Sequence, residues 1–158
     1  MQVITRILKK LNFRYYLPAN LLFRKLSKET DLVFLMYHSI PEKDIEYAYA
    51  TPISTFEQQM KLLSRYCKFI SIDEARSMLN RDNREQLNKN LFVVVTFDDG
   101  YKNNITNAYR IMKKMDIPAT IFLTTNFVEE SNETFLNWNE CRNYSQEKLI
   151  TFGSHTKN

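Results

Sequence analysis

Apolar and polar positions follow two different periods along this chain, and the pattern predicts strands separated by helices. Apolar runs at residues 32–37, 91–97 and 119–124 are rich in β-branched and aromatic side chains, which is typical of buried strands. Shorter strands are predicted at residues 69–71 and 149–152. Because strands alternate with helices, we expect parallel pairing in an α/β sheet or barrel.

Apolar residues that recur at three and four positions predict the intervening helices. They are expected near residues 54–63, 72–79, 101–115 and 138–144. Capping boxes are predicted from Ser54 or Thr55 in the first helix and from Ser71 and Glu74 in the second. The polar residues 81–90 predict a surface loop.

Composition is that of an ordered globular protein, because 44% of the 158 residues are hydrophobic and 25% are charged. Cys67 and Cys141 lie far apart in the chain, which indicates neither a disulfide framework nor a cysteine metal site. Residues 1–30 contain seven Lys or Arg and one acidic residue. The other residues contain 15 basic and 17 acidic residues, so the positive charge is concentrated at the N-terminus.

The N-terminal segment, residues 1–30, begins with a predicted basic amphipathic helix over residues 1–15. Such a helix suits contact with an anionic membrane surface, or packing against the rest of the domain, and both alternatives stay open here. No secretory signal is evident, since no apolar core of about 7 to 15 residues follows the early charges. We expect a protein that is cytoplasmic or peripheral to the inner membrane face, and no nucleic-acid partner, because no recognition module is present.

Candidate chemistry lies directly after the valine-rich run, where Asp98 and Asp99 precede Gly100. The chain has only two glycines and two histidines, and the second glycine, Gly153, is followed closely by His155. Carboxyl ends of parallel strands converge on one crevice, so these side chains are candidates for a shared site. The alternatives are a turn with a helix cap at the aspartates and a packed histidine.

Four segments and one tryptophan together resemble a known family. The segments are TFDDGY at 96–101, FGSHT at 152–156, LMYHSI at 35–40 and IPATIF at 117–122, and they are joined by Trp138. In their order along the chain, these segments resemble those of the polysaccharide deacetylases, also called carbohydrate esterase family four. The resemblance implies a partial, distorted (β/α) barrel over residues 31–158, truncated at its C-terminus, and an enzyme that removes acetyl groups, N-acetyl groups above all, from a carbohydrate polymer or oligomer.

The resemblance also implies residue roles. Asp98 would be the catalytic base, while Asp99 and His155 would bind a divalent metal, zinc in the first place and cobalt or another ion as the alternative. The family's second histidine would come one residue after Asn158, so we expect a piece of a longer protein, inactive or weak alone. Tyr101 and His38 are predicted to border the substrate pocket, although His38 would equally suit packing beside Tyr37.

Two other classes of function share part of this pattern. A glycosidase also uses paired carboxylates, but they usually lie about 5 to 9.5 Å apart on different strands, so adjacent Asp98 and Asp99 argue against it. A non-catalytic carbohydrate-binding α/β domain would keep the fold and lack the metal. The sequence does not indicate which sugar the substrate contains or which oligomeric state the protein adopts.

Overall fold

A parallel sheet forms the centre of the part of the chain that the structure describes. The computed structural model describes residues 31–79, 91–130 and 132–157. The strands are β1 (Asp31–Tyr37), β2 (Lys68–Phe69), β3 (Leu91–Phe97), β4 (Ala119–Thr124) and β5 (Ile150–Thr156). They pair in the order β1-β3-β4-β5, and β2 pairs with β3 as well. All of these pairings are parallel, which confirms the predicted α/β fold.

Helices connect the strands on the two faces of the sheet. They are α1 (Ile53–Leu63), α2 (Ile72–Leu79), a π-helix (Asn104–Tyr109) that continues into α3 (Arg110–Lys114), α4 (Thr125–Glu129) and α5 (Trp138–Tyr144). Helix α4 was not predicted. Between the described strands, each parallel connection passes over the sheet through at least one of these helices, as crossover connections require.

Strand β3 is buried on both faces, as its run of β-branched residues predicts. Val93, Val95 and Phe97 belong to the larger core cluster, which includes Phe56 and Met60 of α1. The alternate residues Phe92 and Val94 pack in a second cluster with Ile70 and Ala75. β3, the strand that leads to Asp98, is therefore packed against core side chains on both faces.

The two predicted capping boxes had different outcomes. The box at α2 is confirmed, because the Ser71 amide donates to Glu74 Oε2 (2.7 Å) and the Glu74 amide donates to Ser71 Oγ (3.2 Å). The box at α1 is wrong, since that helix begins at Ile53 after Pro52 without a side-chain cap. Instead the Ile53 amide donates to the Pro41 carbonyl (2.8 Å), so the loop before the helix satisfies this backbone donor.

Three further boundaries differ from the predictions. The helix expected at 101–115 starts at Asn104 as a π-helix, because Tyr101 is paired with Phe135 in an isolated bridge. The last strand continues to Thr156, beyond the predicted end at Phe152, and so includes His155. Strand β2 comprises only Lys68 and Phe69, whereas the sequence predicted a strand over residues 69–71.

Some predictions lie outside the described residues. These are the N-terminal segment 1–30 with its helix, its boundary with residues 31–158, and the loop at 81–90. Within residues 31–79, 91–130 and 132–157, no helix combines the length and the apolar character that crossing a membrane requires.

Candidate active site

The candidate active site lies where four parallel strands end. β3 leads into Asp98, whose amide donates to the Tyr37 carbonyl at the end of β1 (2.9 Å). β4 ends at Thr124 and β5 carries His155. Since these strands are parallel neighbours in the sheet, their carboxyl ends deliver these side chains to one edge.

The turn after β3 has an unusual backbone. Asp99 (φ 69°) and Gly100 (φ 75°) both adopt the left-handed conformation, which aspartate tolerates better than most residues and glycine accepts freely. A Cβ on Gly100 would also lie 2.7 Å from Leu123 Cδ2. The turn therefore needs glycine at position 100.

His155 lies at an irregular point of β5. Leu123 pairs with Ser154 whereas Thr124 pairs with Thr156, so His155 is an extra residue in the register between β4 and β5. A bulge of this kind changes the direction of a side chain and is frequent beside active sites.

The imidazole of His155 lies between the two carboxylates. Its Nδ1 is 3.3 Å from Asp99 Oδ1, and its Nε2 is 3.7 Å from Asp98 Oδ2. The Thr124 hydroxyl donates to Asp99 Oδ1 (3.3 Å) and lies 3.4 Å from His155 Nδ1. The structure thus brings together all three residues that were predicted to carry the chemistry, and it adds Thr124 as a buried hydroxyl beside them.

The two carboxylates differ in environment. Asp98 is only 7% exposed, and burial raises its pKa above the ordinary value. The nearby imidazoles of His155 and then His38 oppose this increase, while Asp99 adds to it. Asp99 is less buried than Asp98. A buried carboxylate with a raised pKa is a better proton acceptor near neutral pH than an exposed one.

Sequence comparison relates the chain to one family of known proteins. Residues 86–158 match the family described as Polysaccharide deacetylase. The poly-beta-1,6-N-acetyl-D-glucosamine N-deacetylase of Staphylococcus aureus (strain MSSA476) is 30% identical over 152 residues, which are 94% of this chain and 51% of that protein. Residues 86–158 of the chain belong to the polysaccharide deacetylase family. This confirms the resemblance that the sequence motifs predicted.

Solved structures agree with the assignment to the polysaccharide deacetylases. IcaB from Ammonifex degensii superposes with a TM-score of 0.67 at 26% identity, over 78% of this chain and 52% of that one. The Streptococcus pyogenes deacetylase PplD, solved in complex with acetate, gives a TM-score of 0.67 at 27% identity over 79% and 56%. The chain spans about a third to a half of the length of the curated relatives it matches, 34% of Bacillus subtilis YxkH and 51% of the S. aureus enzyme.

The donor atoms at this candidate site fit part of a metal centre. Two ligands at about 2.0–2.1 Å from one tetrahedral zinc ion lie roughly 3.3 Å apart, which is the separation between Asp99 Oδ1 and His155 Nδ1. Catalytic zinc sites generally have three protein ligands. Within the described residues, no group of three or more His, Cys, Asp or Glu side chains is arranged to hold a metal ion. Asp99 and His155 would therefore supply only two ligands to a metal ion, and a further donor would be needed to complete the site.

The two predicted pocket residues interact electrostatically with the acid pair Asp98 and Asp99, His38 with Asp98 and Tyr101 with Asp99. Tyr101 lines a cavity of about 450 Å³, and its hydroxyl donates to that of Tyr47 (3.2 Å). His38 stacks on Tyr49 with ring centroids 5.0 Å apart. The pocket roles of Tyr101 and His38 stay predictions.

Two groups of residues near the site were not predicted from the sequence. Thr124 could have been found as the last residue of a predicted strand beside the central one. Three asparagines that follow the acid pair in the sequence bind the loop after β1, and they are Asn103, Asn104 and Asn107. These hydrogen bonds join residues far apart in the sequence, so no local sequence pattern predicts them.

Proposed function

We propose that the protein containing this chain is a metal-dependent hydrolase that removes N-acetyl groups from a polysaccharide. The observation that carries the proposal is the approach of Asp99 Oδ1 and His155 Nδ1 to 3.3 Å beside a second, more buried carboxylate, Asp98. Family membership supports the same reaction. Because the chain covers only part of each relative, the activity of the whole protein is inferred from the family.

Asp99 and His155 are the residues that would hold the metal in this proposal. A divalent ion such as zinc supplies Lewis-acid polarisation of the acetyl carbonyl and lowers the pKa of bound water. Thr124 keeps Asp99 in place by donating its hydroxyl hydrogen bond to Oδ1. Such support of a ligand by a neighbouring hydrogen bond commonly affects metal affinity by about 10- to 100-fold.

Asp98 is the proton acceptor in this proposal. Its Oδ2 would take a proton from the attacking water. The amide C–N bond would then break as this proton passes to the leaving nitrogen, which gives acetate and a free amine. The raised pKa of Asp98 brings the carboxylate closer to the range in which a base works efficiently at neutral pH. The His155 ring, 3.7 Å from this oxygen, would limit the directions in which Asp98 can turn.

The first substrate to examine is poly-β-1,6-N-acetyl-D-glucosamine. The S. aureus relative aligned over 94% of this chain is named as the N-deacetylase of that polymer. Both Asp98 and Asp99 lie in the portion that also matches the family, residues 86–158. We therefore propose an N-acetylhexosamine polymer as the substrate class.

Acetate release from a β-1,6-linked N-acetylglucosamine pentamer tests the proposal, together with metal analysis of the purified protein by inductively coupled plasma spectrometry. We expect a chelator to abolish release and added zinc to restore it. Asp98→Asn should lower kcat by at least about 100-fold while metal content is kept.

Asp73→Asn provides the matched control, because it makes the same change at an exposed position on α2. It should leave acetate release unaltered. Equal activity of Asp98→Asn and the parent would remove Asp98 from the role of base. A protein that binds the pentamer without metal and without acetate release would instead be a non-catalytic carbohydrate-binding domain.

A further inference from the structure

A short segment between α4 and α5, residues 132–137, packs against the turn that follows the acid pair, and we call it the strap. Two backbone hydrogen bonds of 2.9 Å join it to that turn, from the Lys102 amide to the Thr134 carbonyl and from the Leu136 amide to the Gly100 carbonyl. Between these bonds lies the antiparallel bridge of Tyr101 with Phe135. The turn after β3 is therefore held by the strap as well as by the sheet.

The strap is itself anchored at both of its ends. At its start, Asn132 Oδ1 accepts a hydrogen bond from the Thr134 amide (2.9 Å), which fixes a local turn. Near its end, Leu136 is buried in the larger core cluster, and Asn137 begins α5 with a capping box. Since the core and a capped helix fix the position of the strap, it can restrain the turn that it contacts.

Phe135, in the middle of the strap, lies between two other aromatic rings. It stacks on Phe127 of α4 with ring centroids 4.4 Å apart, and it packs against Tyr101 at 4.7 Å. Both contacts are close, because aromatic pairs generally have centroids about 4.5–7 Å apart. Tyr101 is two residues after Asp99, and Phe127 is three residues after Thr124. Phe135 therefore connects the segment that follows β3 with the segment that follows β4.

The two connected segments meet at the hydrogen bond from the Thr124 hydroxyl to Asp99 Oδ1. Its length of 3.3 Å exceeds the about 2.5–3.0 Å that is usual between oxygens, so a small further separation would break it. Asp99 also has a left-handed backbone, which persists only where the surrounding contacts hold it. Contacts that fix the segments after β3 and β4 therefore bear directly on the position of the Asp99 carboxylate.

Ion pairs also join the strap region to the turn, but they contribute less than the rings. Lys102 Nζ lies 3.3 Å from Glu140 Oε1 and 3.7 Å from Glu133 Oε2. The Glu133 side chain is fully exposed, and ion pairs between solvent-exposed groups generally add little stability. The stacked rings and the two backbone hydrogen bonds are therefore the contacts that hold the strap against the turn.

We propose that Phe135 is a positioning residue of the active site, which holds Asp99 against Thr124 by connecting the segments after β3 and β4. This inference rests on the proposed function, and it extends the functional part of the chain to the strap. Phe135 acts through Asp99 and takes no part in the proton transfer at Asp98. Its removal leaves every proposed catalytic and metal-binding side chain present and changes only their arrangement.

Zinc affinity of the whole protein, measured by competition with a chelator, is the first test. Phe135→Ala should lower the affinity about tenfold, the lower end of the range for loss of support around a metal ligand. Phe127→Ala removes the ring on the other side of Phe135 and should lower the affinity as well. Neither ring belongs to the two core clusters of the described residues, so both variants should fold. Phe135→Tyr keeps the ring and should bind zinc like the parent.

Tyr144→Ala is the matched control, because Tyr144 is also half-buried and packs against another ring, that of Tyr109 at 6.2 Å. It ends α5, near the start of β5 and away from the acid pair, so zinc affinity should not change. The double variant of Phe135→Ala and Thr124→Val should lose less affinity than the product of the two single losses, because both changes act on one hydrogen bond. Losses that multiply, an equal loss in Tyr144→Ala, or parent affinity in Phe135→Ala would overturn the proposal.

A measurement on the metal-free protein separates this proposal from the proposed function. The ¹³C chemical shifts of Cα and Cβ in Asp99 depend on its backbone conformation, and nuclear magnetic resonance detects them after selective labelling of aspartate. They should change in Phe135→Ala and stay constant in Tyr144→Ala. This result would support the positioning role even if the parent bound no zinc, an outcome that refutes the proposed function alone. Unchanged Asp99 shifts in Phe135→Ala would refute the positioning role even if zinc binding and acetate release were normal.

Discussion

Gly153→Ala tests whether the close contact between β4 and β5 sets the position of His155. A Cβ at residue 153 would lie 2.6 Å from Cδ1 and 2.7 Å from Cε1 of Phe122, its cross-strand neighbour. Carbon atoms pack best at about 3.5–4.0 Å, so either the ring or β5 must move by roughly 1 Å. A movement of β5 by that amount would separate His155 Nδ1 from Asp99 Oδ1, now 3.3 Å apart, beyond about 4 Å.

The expected cost follows from the surroundings of Phe122. Overpacking a well-filled site generally costs about 1–3 kcal/mol. Phe122 is half-buried, so its ring can turn partly into solvent, and we expect a loss of about 1–2 kcal/mol in the free energy of unfolding. Urea unfolding of the whole chain, followed by circular dichroism, measures this loss. Zinc affinity of the same variant reports whether His155 has moved.

Phe122→Ala is the partner variant for this experiment, because it removes the ring that the new methyl group would strike. The double variant should be less destabilised than the sum of the two single variants by more than about 0.5 kcal/mol. Strictly additive losses would refute the reasoning. An unfolding free energy of Gly153→Ala within about 0.5 kcal/mol of the parent would do the same.

Two other variants extend the predictions to metal binding and pH. Thr124→Val removes the hydroxyl that donates to Asp99 with little change in volume, and it should lower zinc affinity about 10- to 100-fold in a chelator competition while thermal stability changes little. Hydrogen bonds from Tyr109 and Lys113 lower the pKa of Glu147 below 4.5. The parent should therefore melt slightly above Glu147→Gln at pH 7, and this advantage should fade as the pH falls below 4.5; a constant difference would contradict the assignment.

The sheet and the meeting of the acid pair with His155 could be predicted because each depends on a strong local pattern. Three consecutive valines in β3 have few alternatives to a buried strand, and parallel pairing then forces neighbouring strand ends to one edge. The Ser71 capping box was predictable for the same reason, since both partners lie within four residues. Interactions between residues that are close in the sequence can therefore be predicted from the sequence.

The support around the site was not predictable, because it depends on contacts between distant residues. Asn103 and Asn104 look like the solvent face of a helix in the sequence, yet they bind the loop after β1 across more than 60 positions. The start of α1 likewise depends on the Pro41 carbonyl, which replaces the expected side-chain cap. The register shift at His155 depends on how β4 and β5 fit together, and neither strand alone encodes it.

The backbone around the acid pair is irregular at three places. We infer that the chemistry of the site, and not the stability of the domain, determines the backbone conformation there. Asp99 has a left-handed backbone, His155 is the extra residue in a strand pairing, and the helix after Gly100 begins with a π-helix at Asn104. Each of these features generally costs stability or disrupts regular hydrogen bonding, and such costs concentrate at functional sites. A regular turn and an unbroken pairing would satisfy the core equally well. They would not direct Oδ1 of Asp99 and Nδ1 of His155 towards one point, which is the arrangement that the proposed metal-assisted hydrolysis requires.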